Sequence, residues 1–307
     1  LLCHQMLIDK LLSWKQKKNG MLYNSGYVAN QALVKNLTGK HDLILVDKLI
    51  HHSITQSLNR NSSKFKRYDH LDLCHLEELL SKNIKNYETI FVYTESIFSM
   101  GGDYPDLKKL VALKKKYPFI LILDEAHGTG ILGSNGAGLS EETGTFNDVD
   151  IIIGTLGKSL ASMGAYVLTN STQIIEYLMN KAGEYIYSTF LSPYQTGVAL
   201  ATIDIVKKSH KKREHLKSMS SWLRNQLAKF LDVDTEYSTP IIPVILGDNR
   251  STLRLQSVLF NKNIIVGAVR PPTVPEGTSR IRLSLNSELS ENNLEILIST
   301  IKKWYIK

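Results

Sequence analysis

Cysteine is almost missing from this chain: 307 residues hold two thiols, Cys3 and Cys74, and no C-x-x-C pair. That excludes a disulfide framework and a cysteine-built zinc site, suits a reducing cytoplasm, and leaves both thiols as expected packing residues. Long apolar runs are missing too. The longest are strand-length, so no membrane span is expected, and the basic, apolar and small-residue series of a signal peptide does not open the sequence. Acidic residues are the minority, 29 against 37 Lys and Arg, for a net charge of +8. Such an excess attracts nucleic acid or phosphorylated molecules. The basic clusters at Lys15-Gln16-Lys17-Lys18, Lys114 to Lys116 and Lys207 to Arg213 lie on or beside predicted helices, however, with no aromatic ladder for bases to stack on, so no nucleic-acid partner is expected. Neither G-x-G-x-x-G nor G-x-x-x-x-G-K-[ST] occurs, and without a phosphate loop the D-E-A-H at 124–127 does not make a helicase.

What the sequence does have is an alternation of short apolar strands and amphipathic helices up to about residue 205, followed by a smaller mixed module. The expected architecture is α/β: a mostly parallel, doubly wound sheet in a large domain, residues 1–205, and an α+β domain, residues 206–307. The chain opens inside an amphipathic helix (Leu7, Leu11 and Leu12 apolar) with no N-cap before it, so a leader is expected to precede Leu1.

The predicted strands end in polar residues. Ile151 to Ile153 stops at the glycine-flanked turn Gly154-Thr155-Leu156-Gly157, which delivers Lys158, and Phe119 to Leu123 ends in Asp124-Glu125-Ala126-His127-Gly128-Thr129-Gly130. Strand ends of a parallel sheet share one edge, where ligands bind, so an aspartate, a histidine and a lysine converge there. Leu43 to Val46 runs into Asp47-Lys48-Leu49-Ile50-His51-His52-Ser53, Thr89 to Thr94 into Glu95-Ser96-Ile97-Phe98-Ser99, and Asn24-Ser25-Gly26 feeds a helix that starts at Tyr27. A glycine turn at a helix N-terminus suits a phosphate. Adjacent histidines on a helix point apart and His51-His52 has no i,i+4 partner, so no metal is expected.

A lysine amine that can lose its proton forms a Schiff base with a carbonyl cofactor. Pyridoxal phosphate needs such a lysine, a carboxylate at its ring nitrogen, a donor for its phenolic oxygen and a cradle for its phosphate. Lys158, Asp124, His127 and Gly26 answer those four needs.

The ordered motifs S-G-Y-x-A-N-Q-A (25–32), D-K-L-x-H-x-S (47–53), T-E-S-x-F-S-M-x-G-D (94–103), D-E-A-H-G-T-G (124–130), G-T-x-G-K (154–158), Y-S-T (187–189) and R-P-P-T-V-P-x-G-T-x-R-x-R (270–282) resemble the α-oxoamine synthases, which are fold-type-I pyridoxal phosphate transferases. The resemblance implies that Lys158 carries the cofactor and acts as base, that Asp124 pairs with the ring nitrogen, and that His51 stacks on the ring. It implies contacts of His127 and Ser99 with the phenolic oxygen. The phosphate falls to Gly26, Tyr27 and Thr155, and to Ser188 or Thr189 from a neighbouring subunit, hence a homodimer with a shared site. Arg282, with Arg270 and Thr273, is implied to bind substrate, Arg282 as a clamp for the amino-acid carboxylate. Glu95 is read as a turn brace, His52 as surface, and Arg280 as facing away from Arg282.

The implied reaction is that of the biotin-synthesis branch, in which L-alanine and pimeloyl-CoA or pimeloyl-acyl carrier protein give 8-amino-7-oxononanoate. Relatives using glycine or serine, or a truncated non-catalytic chain, are the alternatives. Ala161 and Ser192 depart from the family pattern, which has glycine and proline there, as do Met163 and Gly101.

Overall fold

The computed structural model describes residues 2–59 and 61–305. It divides into two compact units. The first comprises Leu1–Phe98 and Tyr104–His210, the second Ser99–Asp103 and Lys211–Lys307. The changeover lies between His210 and Lys211, a few residues past the composition shift, and the second unit also takes a short piece from far upstream.

The first unit is built on seven strands: β1 (Asn19–Tyr23), β2 (Leu43–Asp47), β3 (Lys64–Tyr68), β4 (Ile90–Glu95), β5 (Ile120–Asp124), β6 (Ile151–Thr155) and β7 (Ala165–Thr169). Their spatial order is β1-β7-β6-β5-β4-β2-β3. The five from β6 to β3 are parallel, while β7 and β1 close one edge in antiparallel fashion. Parallel strands covered on both faces must be apolar almost throughout, and β2 (LILVD) and β4 (IFVYTE) are buried at every position. The other edge strand, β3 (KFKRY), keeps charges outward, which discourages further pairing. Because β3 and β4 lie on opposite sides of β2, chain order reverses between β2 and β4, and a crevice opens at their carboxyl ends.

The first helix, Leu2–Lys15, is fastened by two lysines that the sequence presented as surface charge. Lys15 is 0% exposed, its Nζ donating to Thr129 Oγ1 and the Ala137 carbonyl, each at 2.7 Å. Lys17 Nζ reaches the Phe146 and Val149 carbonyls, each at 2.5 Å. Burial pulls both amines down to about 8. Cys74 corrects another expectation: it is exposed on the helix Leu73–Asn83 and packs nothing, while Cys3 is half-buried.

Family departures have local explanations. Ser192, in place of proline, accepts from Gln195 N at 3.3 Å and so caps the helix Pro193–Lys208, with Pro193 in its first turn. Ala161, in place of glycine, takes φ +50° in the turn after Lys158, a left-handed conformation in which a Cβ is strained.

The second unit has a three-stranded antiparallel sheet, β8 (Ile241–Gly247), β10 (Ser279–Ser284) and β9 (Gly267–Val269), with β10 in the centre. Arg224, 1% exposed on the helix His210–Leu227, donates to the Asp234 carbonyl at 2.8 Å and the Ile241 carbonyl at 2.6 Å. Thr239 Oγ1 donates to the Gly102 carbonyl, and a Cβ on Gly102 (φ +75°) would lie 2.0 Å from Ile241 O. Glycine there lets the 99–103 segment join this unit.

Two outcomes follow from the burial and the strain. A lysine with pKa near 8 when folded and 10.5 when unfolded binds fewer protons folded than unfolded between those values, so stability climbs as pH rises through that window. The cost is complete below pH 8, on the order of 3 kcal/mol per lysine. Urea midpoints should rise from pH 7.5 to 9.5, and Lys15→Met should flatten about half of that slope; a flat wild-type profile refutes the account. Ala161→Gly should stabilise the fold by about 1 kcal/mol and raise Tm by roughly 2 °C in scanning calorimetry, whereas a lower Tm counts against strain at this turn.

Candidate functional site

Four parallel strands of the first unit deliver polar groups to one edge: His51 just after β2, Glu95 at the end of β4, Asp124 at the end of β5, and Thr155 with Lys158 at the end of β6. Asp124 is 6% exposed. A buried carboxylate has to be paid for in hydrogen bonds. Its Oδ2 accepts from Asn30 Nδ2 at 3.0 Å and its Oδ1 from Ala126 N at 2.9 Å. Asn30 in turn donates to Ser53 Oγ at 2.9 Å and accepts from Tyr93 Oη at 2.6 Å. Ser53 Oγ pairs with His51 Nδ1 at 2.8 Å, which completes an unbroken chain from Asp124 to His51.

His51 caps the helix His52–Leu58, and its own N–H donates to Glu95 Oε1 at 2.7 Å. Desolvation pushes the imidazole below its usual pKa and Asp124 opposes the shift, with Lys158 and His52 lowering it further. The ring is therefore neutral at pH 7. Glu95 lies opposite Asp124 in the β4–β5 register. Burial, then the Asp124 charge, raise its carboxyl well above the usual range, against the His51 N–H and Lys158. Lys158 thus acts electrostatically on the same two groups as Asp124, which places it at the same edge. His127, half-buried, sits in the turn closed by Thr129 N to Glu125 O at 2.9 Å. His52 is exposed.

The helix Gly26–Leu37 starts at this edge as well. Ser25 caps it, accepting from Val28 N at 3.2 Å, and a Cβ on Gly26 would come within 3.9 Å of Thr155 Cβ. Helix starts leave N–H groups without intrahelical acceptors, and the Gly26 end of this helix lies beside Thr155. Thr155 Oγ1 donates to the Gly164 carbonyl and accepts from Gly157 N, both at 3.1 Å. Asn24 Nδ2 donates to Ser188 Oγ at 2.7 Å and to the Thr189 carbonyl at 2.5 Å, which ties the Y-S-T segment to the turn before this helix.

Ser99, Arg270, Thr273 and Arg282 belong to the second unit. Arg282 Nε donates to the Ser99 carbonyl at 2.6 Å and its Nη1 to Ser284 Oγ at 2.6 Å. Arg280 does not face away from it. Residues i and i+2 of a strand share one face, and both guanidinium groups point to the 99–100 backbone, Arg280 Nη1 lying 3.4 Å from the Met100 carbonyl. Arg270 and Thr273 are exposed in the turn after β9, closed by Thr273 N to Arg270 O at 3.0 Å.

Sequence reasoning missed the bracing role of Asn30, Ser53 and Tyr93. The first two stand inside motifs that it quoted, but their partners lie far apart in the chain. Glu95, read as a turn brace, holds the backbone of His51. The donor set fits pyridoxal phosphate: a fixed carboxylate, a flat imidazole, a lysine and a helix N-terminus beside Thr155 at one edge. Among the described residues, no helix is long and apolar enough to cross a membrane.

Comparison with known proteins agrees with this geometry. The family model "Aminotransferase class I and II" matches residues 3–301. An 8-amino-7-oxononanoate synthase of Chlorobaculum parvum is 41% identical over 286 residues, 92% of this chain and 71% of its own length. Serine palmitoyltransferase from S. paucimobilis, solved with bound PLP, superposes with a TM-score of 0.93 at 26% identity, over 99% of this chain and 76% of that one. The 8-amino-7-oxononanoate synthase of Francisella tularensis does so with a TM-score of 0.87 at 30% identity, over 98% and 86%. The chain belongs to the aminotransferase class I and II family and, within it, to the fold-type-I α-oxoamine synthases, which are pyridoxal-phosphate-dependent acyltransferases.

Proposed function

We propose that this chain joins L-alanine to a pimeloyl thioester, carried on coenzyme A or acyl carrier protein, to give 8-amino-7-oxononanoate, with loss of the thiol carrier and carbon dioxide. The observation that carries the reading is the 41% identity to an 8-amino-7-oxononanoate synthase over 92% of this chain.

When bound, pyridoxal phosphate supplies a carbonyl that links to amines and a ring that spreads carbanion charge. The protein's part is positional and electrostatic. Asp124 presents a fixed negative charge to the ring nitrogen, and Asn30 and Tyr93 keep that carboxylate from turning. His51, neutral, covers one ring face. The N–H groups of Gly26 and Tyr27, with Thr155, hold the phosphate, to which Ser188 or Thr189 of a second copy contributes. His127 would contact the phenolic oxygen. Lys158 Nζ would hold the cofactor by its carbonyl and would move the α-proton of the amino acid. Arg282, with Arg270 and Thr273, takes the substrate carboxylate, a task that suits a two-pronged donor.

A homodimer is part of the proposal. Tyr187, Tyr194 and Met163 are 88, 81 and 59% exposed, an apolar surface around the Y-S-T segment that a second copy would cover.

Purified protein given pyridoxal phosphate should show a visible absorbance band that Lys158→Ala abolishes. With the same pimeloyl thioester, alanine should exceed serine by about a hundredfold in kcat/KM, the discrimination that one extra hydroxyl allows. A preference for serine and the long acyl chain overturns the assignment.

A further inference from the structure

We propose that Thr129 and Lys15 are positioning residues for the reaction: Thr129 knots the His127 turn to the Lys158 turn, and the buried Lys15 amine holds that knot in one rotamer. The proposal rests on the pyridoxal phosphate reading above.

Thr129 is 1% exposed and uses every polar group it has. Its N–H closes the turn that contains His127, through the Glu125 carbonyl at 2.9 Å. Its carbonyl accepts from Ser159 Oγ at 2.7 Å, and Ser159 is the residue after Lys158. Its Oγ1 receives Lys15 Nζ at 2.7 Å and pairs with Tyr166 Oη at 2.9 Å. The phenol of Tyr166 lies where a side chain on Gly154 would be, 2.1 Å from the ideal Cβ, directly beneath the strand that leads to Thr155. One hydroxyl therefore links the first helix, the loop after β5 and strands β6 and β7.

The close approach of the two turns depends on Gly130, whose φ is +82° and whose missing Cβ would sit 2.5 Å from Ser159 Cβ. Backbone that close leaves the lysine turn little freedom as long as Thr129 stays put. Lys15 is what keeps it there. The amine has a second fixed acceptor in the Ala137 carbonyl at 2.7 Å, Glu125 and Glu141 attract its charge, and it lies over the rings of Trp14 and Tyr166, 5.2 and 5.7 Å from their centroids. A rotation of the Thr129 hydroxyl would strand a buried ammonium as well as a phenol, and each lost partner is costly in the interior. None of these groups is assigned a contact with cofactor or substrate, so the expected signature is misplacement of Lys158 and His127, not loss of binding surface.

The test uses Thr129→Val, Thr129→Ser and Lys15→Met, each loaded with pyridoxal phosphate. Three quantities are read: cofactor Kd by fluorescence titration, the pH midpoint of the visible band, and kcat with KM. Thr129→Val should weaken cofactor binding about tenfold, move the midpoint by about half a unit and cut kcat about tenfold, with KM for both substrates within about twofold. Lys15→Met should move all three in the same direction, and Thr129→Ser should restore them. Lower Tm for Thr129→Val and Lys15→Met with Kd, midpoint and kcat unchanged overturns the inference and reduces the pair to packing. A wild type with no visible band overturns the cofactor reading, and this inference with it.

Discussion

The arrangement turns on a single buried charge. Asp124 sits at the end of a central strand, and a carboxylate there is tolerated only if its oxygens are satisfied. The donor that satisfies Oδ2 is a side-chain amide, Asn30, whose oxygen is occupied by Tyr93 Oη. The carboxylate fixes which way the amide faces, because a flipped Asn30 would set its own oxygen against Asp124 Oδ2, two acceptors with no proton between them. The electrostatic anchor of the site is thus set by a neutral residue on a helix packed against the sheet.

Asn30 stands one turn into the helix Gly26–Leu37, the helix whose start is proposed to hold the phosphate. Pinning Asn30 to Asp124 therefore fixes the height and rotation of the helix start relative to the strand ends. A ligand bearing a phosphate at one end and a basic ring nitrogen at the other meets a ruler made of one helix. The same amide reaches Ser53 and, through it, His51, so the group proposed to cover the ring is referenced to the same carboxylate. Chain reversal between β2 and β4 supplies the space, since His51 and Glu95 leave the sheet on either side of that crevice.

Much of this was legible in the sequence because each strand is a short apolar run that stops at polar residues, and β2, β4, β5 and β6 all follow that pattern. Lys158, Asp124 and His51 could be named because glycine turns and strand ends expose them. The antiparallel edge pair β1 and β7 was not read as strand: NGMLY and AYVLT are brief, and their pairing partners lie nearly 150 residues apart. The bracing side chains were hidden for a different reason. Whether Asn30 caps, solvates or supports a buried acid depends on what the fold brings opposite it. The Arg280 and Arg282 pair failed on simple geometry, since alternate residues of a strand share a face and the spacing alone was enough to say so.

Buried cations were the least visible feature, and they alter what the charge balance means. A net charge of +8 invites a picture of a uniformly basic surface. Lys15, Lys17 and Arg224, however, are spent inside, each against backbone carbonyls that would otherwise lack donors. Their function there is that of rigid donors with long reach, which a neutral side chain of similar length does not provide. The two lysines accept a lowered pKa as the cost of that reach. Lys15 and Lys17 flank Gln16, which takes φ +52°. A tight turn at the end of the first helix thus sends two successive basic residues inward on diverging paths, one to the 129–137 loop and one to the 146–149 loop. Composition counts both as surface charge; in the fold they are interior struts, Lys15 against the loop after β5 and Lys17 at the opposite, amino end of β6.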